Sequence, residues 1–169
     1  MKNFFKKLGT ILIAVISLFS LMIFAGCGGG SGGSGGKNNE MEKITTFYET
    51  VKESQDCLDA VADDIYSYWY DAIYKDKYYG SIDLAISYAL DDNKENLDTI
   101  EANELIIKPL YKEIRDSELS EEIKAVMSAY SDYYEFVVNV SGSFNSFKDS
   151  KETLKKALAS SLKDLSLEL

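Results

Sequence analysis

The chain has 169 residues, with 28 acidic side chains, 18 basic ones and no histidine. The absence of histidine excludes Ser-His-Asp and Cys-His catalysis and every His-ligated metal site. All 28 acids lie in residues 40–169 together with 14 of the bases, a net −14 that argues against a nucleic-acid partner, since phosphate neutralisation needs a basic surface. Glycine is as uneven as charge: nine of the 11 fall in residues 1–36, leaving Gly80 and Gly142.

Residues 1–26 read as an export signal. Lys2, Lys6 and Lys7 make a cationic start, and an apolar run from Ile11 to Ala25 is interrupted only by Ser17 and Ser20. A positive start, about 15 apolar residues and small residues at the exit describe a secretory segment whose positive end stays cytoplasmic. A second reading keeps residues 8–25 as an uncleaved anchor of about 18 residues, near the lower limit for spanning. Both readings leave the rest of the chain outside the cytoplasmic membrane.

The exit sequence Phe24-Ala25-Gly26-Cys27 resembles the lipobox of bacterial lipoproteins, with Phe24 in place of the usual leucine. The resemblance implies a diacylglyceryl thioether on Cys27 and cleavage before it. Two acyl chains make a firm membrane anchor. The Gly/Ser run 28–36 that follows predicts a flexible tether, over residues 27–38, with a span of about 15–20 Å. The tether and the Lys, Asn, Ile, Tyr and Asp bias resemble surface lipoproteins of low-GC Gram-positive bacteria. A lipid-anchored chain at a Gram-positive cell surface is the localisation this implies.

Residues 39–169 form the predicted folded domain. One proline and two glycines in residues 40–169 are too few breakers for a many-stranded β fold. Apolar positions Met41, Ile44, Tyr48, Val51, Leu58, Ala62, Ile65, Trp69 and Ala72 step by three and four, with Gln55 the one polar member. This heptad seam predicts helix A over about residues 39–77, capped by Asn38 or Asn39 and closed by Gly80. Helix B is predicted from Ser81 to about Ser117, with a bend in the polar stretch 91–96 and a kink near Leu105–Pro109. The last seam runs from Ile123 through Tyr130, Tyr133, Phe144, Phe147 and Lys151 to Leu165, in unbroken phase across Ser141-Gly142-Ser143. The phase favours one bent helix C over about 119–166; the glycine and serines favour a break and restart. The expectation is therefore all-α: an antiparallel up-down-up bundle of three long helices, or four if helix C breaks at Gly142.

The segment 66–79 holds six of the 12 tyrosines and the single tryptophan. Tyr66, Tyr70 and Tyr74 share a helix face, and Tyr78 and Tyr79 flank the A–B turn, at the end of helix A away from the tether. Tyrosines here either fill a wide bundle end or present flat, amphipathic faces to a partner. Tyr70, Tyr74, Tyr78 and Tyr79 are the candidate partner-binding residues.

Other constellations carry less chemistry. The pairs Asp63-Asp64, Asp91-Asp92 and Glu121-Glu122 are adjacent on helices and diverge by about 100°, whereas acid–base work on sugars needs converging carboxylates. Residues 91–95 lack the alternating ligands and glycine of a calcium loop. Glu-x-x-His di-iron pairs cannot form without histidine. Cys57, next to Asp56 and Asp59, reads as a packing residue and not as a reactive thiol. Ser141-Gly142-Ser143 is not a nucleophile elbow.

These readings predict a non-enzymatic, lipid-anchored helical bundle with no cofactor and no metal. Cys27 anchors it to the membrane, and the aromatic tip meets an extracytoplasmic protein or wall polymer. Two alternatives stand: a small ligand held between helices near Trp69 and Tyr133, or a carboxylate-based enzyme. The heptad seams could also drive self-association.

Overall fold

A computed structural model of the protein describes residues 35–169. The signal segment, the lipobox with Cys27 and residues 28–34 of the tether lie outside the described residues. Five α-helices are described, with no strand among the described residues: α1 (Gly35–Tyr74), α2 (Ile82–Asp92), α3 (Lys94–Ile114), α4 (Ser120–Val138) and α5 (Phe144–Ser166). The fold class is all-α. None of the described helices is long and apolar enough to cross a membrane.

Cross-helix pairs fix the topology. Lys43–Glu113 at 2.7 Å, Ser54–Asn103 at 3.1 Å and Asp64–Asn93 at 2.7 Å run in opposite senses along α1 and the α2–α3 leg. Asp59–Lys155 at 3.0 Å and the Trp69–Phe147 ring pair at 5.6 Å set α5 antiparallel to α1. Phe136 stacks on Phe147 at 4.7 Å, joining α4 and α5 as an antiparallel hairpin. The result is an up-down-up-down bundle with four legs.

Helix C is therefore two helices, α4 and α5, and the expectation of one bent rod is corrected. The chain leaves the helix at Asn139, Gly142 takes φ 90°, and Ser143 restarts it as an N-cap in extended conformation. Ser143 Oγ accepts from Ser146 N while Ser146 Oγ accepts from Ser143 N, a reciprocal capping box that satisfies two helix-start donors. The phase of the seam is uninformative here, because a hairpin needs the same apolar stripe on each arm.

Helix B also divides, at Asn93, within the polar stretch 91–96 where the bend is expected. Asn93 is buried and ends α2: its backbone N–H donates to Ala89 O, while its side-chain amide donates to Ala89 O at 3.0 Å and to Asp64 on α1 at 2.7 Å. Helix α3 then runs to Ile114 with Pro109 inside it. At the other end, α1 begins at Gly35, and Asn38 and Asn39 lie inside it rather than at its cap. Two glycines of the Gly/Ser run are thus helical, carried by a long amphipathic segment to which each added residue contributes a backbone bond.

The seams form the core. Ile44, Val51, Leu58, Ala62, Ile65, Trp69 and Ala72 of α1 are buried with Ile100 and Ile107 of α3, Ile123, Val126 and Val137 of α4, and Phe147, Leu158 and Leu165 of α5. Met41, at the start of the first seam, is exposed. Gln55 is half-buried, and the buried polar positions are its neighbours: Ser54 accepts from Asn103 at 3.1 Å, and Asn103 also donates to Glu53 at 3.1 Å. Glu104 is buried in the same layer and pairs with Lys108. Such a layer costs desolvation, which the Asn103 bonds to Ser54 and Glu53 offset while joining α1 to α3.

Candidate functional site

The turns 75–81 and 139–143 meet at one end of the bundle, where α1 ends. Helix α1 has 40 residues, so its tip lies about 60 Å from its first residue. The restart at Ser143 places Phe144 at this tip. Four rings of α1 converge on it: Tyr66 stacked at 5.0 Å, Trp69 edge-on at 6.0 Å, Tyr74 edge-on at 6.1 Å and Tyr70 at 6.2 Å. Tyr70 and Tyr74 also pair with each other at 4.7 Å, one helical turn apart.

The four candidate tyrosines do not form one patch. Tyr70 and Tyr74 share the α5 side, exposed beside Phe144. Tyr78 turns to the other side, half-buried between Tyr68 at 5.3 Å and Tyr88 of α2 at 5.7 Å. Tyr79 stands at the apex, 97% exposed. Sequence reasoning missed Phe144, Tyr88, Ile73 and Ile82. Phe144 sat in an apolar seam, and only the break at Gly142 moves it from mid-rod to tip.

The apex is held in an uncommon backbone form. Asp76, Tyr78 and Tyr79 have φ of 50°, 55° and 53°, and Gly80 follows at 69°. Left-handed conformation costs non-glycine residues about 1–2 kcal/mol each. Buried Asp71 opposes that cost, accepting from Lys75 at 2.7 Å and Lys77 at 2.6 Å. The two ammonium groups hold its carboxyl below the usual carboxylate range, Lys75 first, and Asp71 in turn pushes Lys77 up. Ser81 N then donates to Tyr78 O at 2.9 Å, and Ser81 Oγ caps α2 through Leu84 N at 3.3 Å.

Between the two turns lies a cleft of about 450 Å³, lined by Trp69, Ile82, Asp83, Ile86 and Val140 and by the backbone of Gly142. Trp69 is 4% exposed, and its indole N–H is buried without a hydrogen-bond partner. An unpaired buried donor costs about 1–3 kcal/mol. Tyr133 does not join Trp69 in this cleft. It is buried in the core, where its hydroxyl donates to Asp59 at 2.8 Å; burial, then that carboxylate, push the phenol up.

The acidic pairs diverge as their spacing implies. Asp63 pairs with buried Lys151 of α5, whose ammonium also sits 4.9 Å from the Tyr66 ring, whereas Asp64 takes Asn93. Asp92 accepts from Tyr68 and raises that phenol to about 12. Tyr130 is buried facing Glu104 and Ser54, and burial followed by the Glu104 charge pushes it up. Cys57 is a free, half-buried thiol pushed up by burial, then by Glu53 and Asp56. Among the described residues, no three His, Cys, Asp or Glu side chains gather as metal ligands.

The chain is thus an all-α protein whose exposed aromatics concentrate at one end of a four-legged bundle. Compared with protein-family models, curated proteins and solved structures, it matches none.

Proposed function

We propose that this chain is a lipid-anchored extracytoplasmic bundle that binds a surface protein or wall polymer through its tip. One observation carries the reading. Of the eleven exposed large apolar side chains among the described residues, seven lie at or within about two turns of the tip: Tyr70, Ile73, Tyr74, Tyr79, Ile82, Tyr88 and Val138. Exposed apolar groups concentrated at one end, although on different sides of it, support an interaction surface there, and tyrosine is a frequent interface anchor. The acids of α1 support a binding role over acid–base chemistry, because Asp59, Asp63 and Asp64 each hold a neighbouring leg of the bundle. Anchoring through Cys27 rests on the lipobox resemblance.

Two experiments test the halves separately. Mass spectrometry of the mature amino terminus is expected to find a lipidated Cys27, and an unmodified Met1 would refute the anchor. A triple variant Tyr70→Ala, Tyr74→Ala, Tyr79→Ala is expected to keep full helicity by circular dichroism. It should lose retention on purified cell wall or on the partner identified by cross-linking. Unchanged retention would remove the tip from the function.

A further inference from the structure

The two sides of the aromatic end differ in where their cations come from. On the α5 side the chain supplies its own: the Lys75 ammonium lies 5.5 Å from the Tyr70 ring and that of Lys151 lies 4.9 Å from the Tyr66 ring. On the α2 side three rings adjoin, Tyr68 to Tyr78 at 5.3 Å and Tyr78 to Tyr88 at 5.7 Å. No ammonium among the described residues lies over any of these three.

The charges on the α2 side have one sign. Residues 78–93 contain Asp83, Asp91 and Asp92 and no lysine or arginine. The two bases just before them, Lys75 and Lys77, are both held by Asp71. Asp92 accepts from Tyr68, which leaves its carboxylate with further acceptor sites. Asp91 is exposed, and its carboxylate has no hydrogen bond or ion pair among the described residues. Tyr88, 47% exposed, stands three residues before Asp91 on α2, so the ring and the carboxylate are neighbours on one helix face, with Cβ atoms about 5–6 Å apart.

We infer that the α2 side of the tip docks an arginine-bearing segment of a partner protein, with a guanidinium laid on the Tyr88 ring and paired to Asp91. A guanidinium suits this pair because it is flat enough to stack on a ring while its N–H fork meets a carboxylate. Asp83 and Asp92 add to the attracting field. The same carboxylates repel an anionic wall polymer and give an uncharged glycan no gain. The inference rests on tip docking as proposed above and narrows the class of partner.

The probe is an acetylated, amidated octapeptide of alternating glycine and arginine, titrated into the full chain in neutral detergent micelles. Nitrogen–proton correlation spectra are expected to show saturable shifts confined to residues 84–92 and to Tyr68 and Tyr78. The glycine–glutamate octapeptide and tetra-N-acetylchitotetraose should shift none of these. Tyr88→Ala and Asp91→Asn, both at exposed positions, should each weaken the arginine peptide about tenfold, with the rest of the spectrum unchanged. A control chain with Glu49→Gln, Asp132→Asn and Asp149→Asn loses three exposed acids elsewhere and should bind like the unaltered chain. The Tyr70→Ala, Tyr74→Ala chain should too, since Tyr70 has its own cation. Shifts spread over every acidic face, an equal loss in the control chain, or saturation by the oligosaccharide at residues 84–92 would each overturn the assignment. Retention on cell wall without any peptide response would remove the cationic partner and leave tip docking standing.

Discussion

Phe144, the first residue of α5, stacks on Tyr66 of α1 at 5.0 Å and an interplanar angle of 18°, with Trp69, Tyr70 and Tyr74 around it. One ring therefore links the returning hairpin to the aromatic face of α1. Removing a fully buried phenylalanine side chain costs about 3–5 kcal/mol, and Phe144 is half-buried, so Phe144→Ala should lower stability by about 2 kcal/mol in urea unfolding. It should also shift Trp69 fluorescence in the folded state. A silent substitution would show that the tip rings are not packed.

Gly142 gives a prediction of sign. At φ 90° an added Cβ would lie 2.9 Å from Ser146 Oγ, so Gly142→Ala should destabilise the hairpin by about 1–2 kcal/mol. In one continuous helix the same change would stabilise by about 1 kcal/mol, because alanine is the better helix former. Equilibrium denaturation reads the difference.

Tyr68 and Asp92 predict an alkaline response. The Asp92 carboxylate accepts the phenol proton's hydrogen bond and raises Tyr68 to about 12 from an ordinary value near 10. A raised folded value means the contribution is full below about pH 10 and is lost as pH climbs through about 12. Ultraviolet titration should show one late phenolate that Asp92→Asn returns towards 10. Tyr130 and Tyr133, pushed up chiefly by burial, should ionise only with unfolding.

Asp59 serves two legs at once, accepting from Tyr133 of α4 at 2.8 Å and from Lys155 of α5 at 3.0 Å. Asp59→Ala leaves the buried Tyr133 hydroxyl unpaired and should cost about 1–3 kcal/mol. Asp59→Asn keeps an acceptor for Tyr133 and loses only a partly exposed ion pair, so it should cost under about 1 kcal/mol. Equal losses would place the energy in the charge instead.

The sequence was readable where one physical rule acted alone. Heptad spacing named Ile44, Val51, Leu58, Ile65, Trp69, Val126, Tyr133 and Leu158, all buried. Ser81 and Asp83 marked the start of α2 by capping chemistry, as found. It was ambiguous where two rules competed. At Gly142 an unbroken phase opposed a breaker, and the capping box decided for the break. The bend expected in the polar stretch 91–96 falls at Asn93, and its bond to Asp64, 29 residues earlier, is a contact that no local pattern contains. Proximity in sequence groups Tyr78 with Tyr70 and Tyr74, but the left-handed apex turns it towards Tyr68 and Tyr88.

Docking through the tip is tested most directly by site-specific photocross-linking in living cells. A photoreactive residue replaces either Tyr79, 97% exposed at the apex, or Leu105, 71% exposed on the shaft in α3. Adducts from position 79 and none from position 105 are the predicted result. Equal adducts from both positions, or adducts from the shaft alone, would contradict a binding tip.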